Sequence, residues 1–361
     1  MGLESRLRPL PRRLVTLSTA ASIDASTSSS FTALPSRIFS PEQCSDDDDD
    51  EDPEDVFTAF LPHLFPDDAP QFHGDPGQHL LYSSPRYGEL EIMVPSYPSQ
   101  NKSGERPKEV AEGLPRSDSH VNSIEEGRKL CAHFLWSSGM IVAEGIEQAG
   151  AKAGSKESPG NADCEIWKVQ GETVLELGAG AGLSSIIAAL TGASKVTITD
   201  HPSSPALTAG GALSFNVKHN IPLGNCAVEI CPHEWGTLAS DPWALSNRGL
   251  YTRIIAADCY WMRSQHENLV RTMKWFLAPE GKVWVVAGFH TGREIVAEFF
   301  ETAVSLGLEI ESIYERDVNS SVDDGGEVRR EWVNVREGEG PENRRRWCAV
   351  AVLRHAPSAT A

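Results

Sequence analysis

The sequence predicts an α/β fold: a mostly parallel sheet with helices on both faces, behind a disordered N-terminal tail. Three observations carry that expectation. Short runs rich in β-branched residues recur from residue 173 to residue 288. Segments with helical apolar spacing separate most of them, the alternation that builds a parallel sheet. Residues 1–55, by contrast, lack periodic apolar spacing and end in the acidic run "DDDDDEDPED". A segment of that composition has too little apolar surface to order itself.

The elements follow in order. Residues 1–40 carry Arg6, Arg8, Arg12, Arg13 and Arg37 among many serines, opposed by Glu4 and Asp24. The composition is that of a mitochondrial transit peptide or of a plain basic tail. "VFTAFLPHLF" (56–65) reads as a short helix. "HLLYSS" and "ELEIMVP" flank "PRYG" and read as a hairpin, and the Pro/Gly-rich stretch 96–118 reads as a loop. "IEEGRKLCAHFLWSSGMIVAEGIE" (124–147) has helical spacing, and "AGAKAGSKESPGNADC" separates it from the next strand. "TVLEL", "KVTITD", "NCAVEIC", "YTRIIAAD" and "GKVWVVAG" are the strands. "GLSSIIAALTG", "ALTAGGALSFNVKHN", "SQHENLVRTMKWFLAP" and "GREIVAEFFETAVSLG" are the helices between and after them. "LEIESIYERDV" and "RRRWCAVAVLR" have no long helical segment between them and should pair antiparallel. The polar stretch 319–343 lies between those two.

Charge and cysteine usage exclude some classes. The net charge is −19, with nine acidic residues in the run 46–55. What remains is still acidic, which argues against non-specific binding to nucleic acid. The seven cysteines are scattered with no C-x-x-C pair. They read as reduced thiols of a cytoplasmic protein, with neither a disulfide framework nor a metal site. No apolar run is long enough for a membrane span.

The chemistry concentrates in "VLELGAGAGLSSI" (174–186). A dinucleotide fingerprint needs G-x-G-x-x-G, but here Gly178, Gly180 and Gly182 alternate and position 183 is leucine. No G-K-[ST] follows, so the loop is not a P-loop. Glycines around Ala179 let the backbone turn tightly and approach a ligand. Asp200, ending the next strand, can accept from both hydroxyls of a ribose. Glu176 stands near the loop, where a ligand's ammonium could sit. Adenine, ribose, sulfonium, ammonium and carboxylate together make S-adenosylmethionine, which these parts suit as cofactor.

The ordered set "HFLWSSGMIVAEGI", "VLELGAGAGLSSIIAALTGASKVTITD", "HEWG", "IIAADCYW" and "AGFHTGR" resembles the class I, seven-strand S-adenosylmethionine-dependent methyltransferases. Within them it is similar to the lysine methyltransferase-like family 16, whose fungal branch includes nicotinamide N-methyltransferase-like and elongation factor 1A methyltransferases. The resemblance covers about residues 124–355. It implies a Rossmann-like seven-stranded sheet with an antiparallel last strand, behind a tail (1–55) and an extension (56–123). It implies that Trp136, Trp235 and Ala257 line the cofactor pocket, beside Glu176, the loop and Asp200. It also implies a substrate end built on Asp258, Tyr260 and His290, with Trp261 where the family more often has Tyr or Phe. The implied activity is N-methylation of a protein lysine or N-terminal amine. The alternatives are a pyridine-type small molecule as acceptor, or a catalytically silent cofactor-binding scaffold. The expected partners follow: a protein substrate, with translation factors among the candidates, or a small pyridine. No nucleic acid, membrane or second copy is expected.

Overall fold

The central strands are apolar on both faces, so they have to be covered on both. In the computed structural model, which describes residues 3–10, 72–96, 134–153, 166–320 and 326–357, that is how they sit. The first elements are β1 (Leu7–Pro9), β2 (Phe72–His73), β3 (His79–Ser84), β4 (Gly88–Met93), β5 (Leu135–Trp136) and α1 (Ser137–Ala153). The alternating part runs β6 (Thr173–Leu177), α2 (Leu183–Leu190), β7 (Lys195–Asp200), α3 (Ala212–Asn220), β8 (Ala227–Pro232), α4 (Pro242–Ser246), β9 (Tyr251–Ala257), α5 (His266–Phe276), β10 (Leu277–Gly288) and α6 (Arg293–Ser305). It closes with β11 (Leu308–Asp317), β12 (Arg329–Glu331), α7 (Pro341–Arg345) and β13 (Trp347–His355).

The main sheet has the order β12-β11-β13-β10-β9-β6-β7-β8. Strands β8, β7, β6, β9 and β10 are mutually parallel. Strand β13 runs antiparallel between β10 and β11, as expected of the late pair. Side chains alternate across the sheet: Val174, Ile255, Trp284 and Val286 face one layer, with α1 and α2. Leu175, Ile254, Val283 and Val285 face the other, with α5 and α6. The strand order reverses between β6 and its neighbours β7 and β9, and ligands of such sheets bind beyond the strand ends at that point. No helix among the described residues is long and apolar enough to cross a membrane.

Besides the helix expected at 124–147, in which Leu135–Trp136 forms strand β5 so that α1 starts at Ser137, three features depart from expectation. The sheet has eight strands among the described residues, because the polar stretch 319–343 contributes β12. Buried Glu315 of β11 gathers that stretch: it accepts from Arg293 at 2.6 Å, Arg330 at 2.6 Å and Arg336 at 3.2 Å. Burial alone would push the Glu315 carboxyl up, but Arg293 and Arg330 hold it below the usual range. Helix α3 begins six residues later than the apolar pattern suggests. A Cβ at Gly211 would lie 2.7 Å from the Pro205 carbonyl, so the chain turns there and starts the helix at Ala212.

The third departure is at the N-terminus. Residues 3–10, expected to belong to a disordered tail, fold onto the hairpin. β1 pairs antiparallel with β3, which pairs with β4 as expected, and Leu3 is fully buried. Arg6 reaches Glu144 and Glu147 of α1, both at 3.0 Å. The rest of the tail, the helix expected at 56–65, the loop beyond residue 96 and the first ten residues of the helix expected at 124–147 lie outside the described residues.

Candidate functional site

The glycine loop leaves β6 with Gly178, Gly180 and Gly182 all in the left-handed region, at φ 63, 53 and 71. Two of them have no room for a side chain. A Cβ on Gly178 would meet Cys259 Sγ at 3.0 Å and Trp235 Cζ2 at 3.2 Å, and one on Gly182 would meet Leu213 Cδ2 at 2.7 Å. Gly178 therefore gives backbone a close approach to the cleft, and Gly182 lets α2 start against α3. Ala179 donates its N–H to the Thr199 carbonyl at 3.0 Å, which ties the loop to β7.

Asp200 holds the loop in turn. Its Oδ2 accepts from Gly180 N–H at 2.8 Å and its Oδ1 from His201 N–H at 2.7 Å. The carboxylate lines a cleft at the switch point of the sheet, where ligands of such folds bind. Trp136, Gly178, Gly180, Trp235, Ala257 and Asp258 line the same cleft, so most of the expected residues converge on it.

Five expected residues do not line it: Ala179, Gly182, Glu176, Tyr260 and His290. Ala179 and Gly182 act through the backbone, as described. Glu176 is a correction: it does not stand open to a ligand's ammonium. It is 3% exposed, and its Oε2 accepts from Ser185 N–H at 3.2 Å in the first turn of α2. Burial pushes its carboxyl up to about 7, against hydrogen bonding from Ser185. Tyr260 is a second correction. Its hydroxyl donates to the Ala256 carbonyl at 2.7 Å, its ring lies 4.3 Å from that of Phe299, and it is 2% exposed. The turn at Asp258 sends it into the core and leaves Trp261 and Met262 at the cleft.

The Glu176 environment gives a pH signature. From about pH 4.5 to 7 the folded chain keeps a proton there that an unfolded carboxyl releases. Stability contributed by this group is therefore present below that window and lost as pH rises through it. Glu176→Gln is expected to remove that slope, gaining up to about 3 kcal/mol relative to wild type at pH 8. Chemical denaturation from pH 5 to pH 8 measures it, and an unchanged slope would mean that Glu176 does not titrate there.

Asp258 follows β9 with φ 53, the only positive φ of a non-glycine among the described residues. Its Oδ1 accepts from Gly288 N–H at 2.8 Å and its Oδ2 from the Ser138 hydroxyl at 2.5 Å. Both oxygens thus already hold a donor. His290 Nδ1 lies 3.8 Å from Oδ1. The His290 ring is buried and stacked on Trp136 at 4.5 Å and 26°. Burial pushes its pKa down, with Asp258 pulling the other way, so the imidazole is neutral at pH 7. His290 backs the cleft wall from behind.

Other walls were not singled out from the sequence. Phe134, His201, Ser203, His233, Cys259 and Gln265 also line the cleft. The extension supplies backing too: Phe72 of β2 sits 4.5 Å from the Phe134 ring and 5.8 Å from the Trp136 ring. Phe134 lies within "HFLWSSGMIVAEGI" and Cys259 within "IIAADCYW", so membership of those motifs was the available signal for the two. Nothing local marks Ser203 or Gln265.

The donor set fits S-adenosylmethionine. There is a carboxylate at the end of the second strand, a backbone cradle that a Cβ would fill, and a flat indole at the end of the third strand. Asp200, the loop backbone and Trp235 are the residues that would hold this cofactor.

Known proteins agree with that geometry. A family model described as "Lysine methyltransferase" matches residues 116–305, a span that contains the loop, Asp200, Trp235, Asp258 and His290. The "Protein N-terminal and lysine N-methyltransferase EFM7" of Yarrowia lipolytica is 30% identical over 208 residues, 52% of this chain and 68% of that one. Its namesake in Gibberella zeae is 28% identical over 233 residues, 58% of this chain and 82% of that one. That of Schizosaccharomyces pombe is 31% identical over 195 residues, 52% of this chain and 68% of that one. A family match over more than half of the chain, laid on a cleft with these parts, makes this protein a member of the lysine methyltransferase family.

Proposed function

We propose that this enzyme methylates a protein amine, a lysine side chain or an N-terminal amine, and that a translation factor is the first substrate to test. The observation that carries the reading is the lining of the cleft, which includes Trp136, Trp261 and Met262. Indole faces suit the methylene stem and cationic head of a lysine. The names of the relatives, which act on protein N-termini and lysines, support the same class.

S-adenosylmethionine, when bound, supplies a methyl group on a sulfonium, a good leaving group. The chain's own residues have to orient the acceptor nitrogen and exclude water. In this reading Asp200 holds the ribose and the loop backbone holds the amino-acid end. Trp136, kept upright by His290 and Phe72, walls the path of the amine. A lysine arrives protonated, since its pKa is about 10.4. The proton therefore leaves to water in the cleft before transfer.

The test is transfer of a labelled methyl group into cell extract, with protein separated from small molecules. Label is expected in protein, at lysine or N-terminal amines by peptide mapping. Label confined to the small-molecule fraction would replace this reading with a pyridine-type acceptor.

A further inference from the structure

The turn at Asp258 is held by two donors of different kinds. Gly288 N–H belongs to β10 and comes with the sheet. The second donor is the hydroxyl of Ser138, fully buried in the first turn of α1. Asp258 N–H adds a third tie, to the Val286 carbonyl at 2.9 Å. Ser138 stands two residues after Trp136, so its hydroxyl joins the two sides of the cleft. On one side is the Trp136 wall, and on the other the turn that carries Cys259, Trp261 and Met262.

We propose that Ser138 is a positioning residue for methyl transfer: by donating to Asp258 it fixes the left-handed turn and sets the spacing between these two walls. The proposal rests on the reading of this cleft as the site of transfer. The physical reason is the carboxylate. Its side chain is 2% exposed, and a buried carboxylate oxygen that loses its donor is costly. Without the Ser138 hydroxyl, the turn relaxes to bring Oδ2 to water, since a left-handed φ is strained for any residue with a Cβ and is held here by the side chain's hydrogen bonds. Trp261 and Met262 move with it. The groups that would hold the cofactor, Asp200 at the end of β7 and the glycine loop after β6, keep their own hydrogen bonds. Loss of Ser138 should therefore misplace the acceptor and leave the cofactor bound.

The experiment compares Ser138→Ala, the near-isosteric Ser138→Cys, and Ser138→Thr, which keeps a hydroxyl, in the full chain. Trp136, Trp235 and Trp261 line the cleft, so quenching of tryptophan fluorescence reports cofactor Kd without turnover. Ser138→Ala is expected to lower kcat about 100-fold, the scale of an ångström's misplacement, with cofactor Kd within threefold of wild type. Ser138→Cys should behave like Ser138→Ala, because a thiol is a weak donor. Ser138→Thr should recover most of kcat. An unchanged kcat in Ser138→Ala and Ser138→Cys overturns the proposal. So does a parallel loss of kcat and cofactor affinity with no recovery in Ser138→Thr, which marks a role in folding alone. The acceptor is whichever pool the wild type methylates, so a switch to small molecules overturns the substrate reading and leaves this comparison intact. A wild type that binds cofactor and methylates neither pool removes the reaction, and the proposal with it.

Discussion

Arg6→Met is expected to cost about 3–5 kcal/mol of stability, the usual loss when one partner of a buried ion cluster is removed. Arg6 is 7% exposed. It donates to Glu144 Oε1 at 3.0 Å, Glu147 Oε2 at 3.0 Å and Tyr82 Oη at 3.1 Å. Burial works against its charge, but Tyr82, Glu144 and Glu147 outweigh it and push the guanidinium's pKa up further. Glu144 would keep Arg316, and Glu147 would keep the Tyr82 and Ser84 hydroxyls. Burial already pushes the Glu147 carboxyl up, so losing its cation is the larger part of the cost. Removing residues 1–10 should cost at least as much, since Leu3 and the β1 ladder go with Arg6. Denaturant unfolding at pH 7 measures both variants. A change below about 1 kcal/mol, the scale of a surface pair, would mean that residues 3–10 are the independent tail their composition suggests.

The second large effect is expected at the cofactor. Asp200→Ala should weaken S-adenosylmethionine binding about 100-fold or more, roughly 3 kcal/mol, because a charged acceptor of hydroxyls is worth about 1.5–3 kcal/mol per bond. The structure adds a reason that the spacing alone did not contain. The same carboxylate accepts from Gly180 and His201, so its removal also frees the loop that should cradle the ligand. Asp200→Asn keeps an acceptor oxygen and loses the charge, so its loss should be nearer tenfold. Calorimetric titration separates the two. Equal affinity of wild type and Asp200→Ala would remove Asp200 from the cofactor site.

Much of this was legible in the sequence. The five parallel strands, the hairpin and the late antiparallel pair announced themselves through apolar runs and turn residues. The alternating glycines and the aspartate ending the next strand located the cleft. These are local signals: a strand's apolar run and a loop's need for left-handed φ are written in consecutive residues. The sequence by itself thus determined the central sheet and the position of the cleft along it.

The tertiary structure decided what individual side chains do there. Arg6 looked like part of a basic tail because its partners, Glu144 and Glu147, are 138 and 141 residues away. The stretch 319–343 looked like a polar excursion until buried Glu315 gathered its arginines. Glu176 and Asp200 both read as open carboxylates, yet one is enclosed beneath α2 and the other faces the cleft. Asp258 and Tyr260 both read as parts of a substrate end, yet Asp258 holds a donor on each oxygen and Tyr260, two residues on, is turned into the core. Local pattern states that a carboxylate or a hydroxyl is present near a strand end. Its direction, burial and partners depend on elements far away in the chain, because a buried polar group settles wherever its hydrogen bonds can be satisfied.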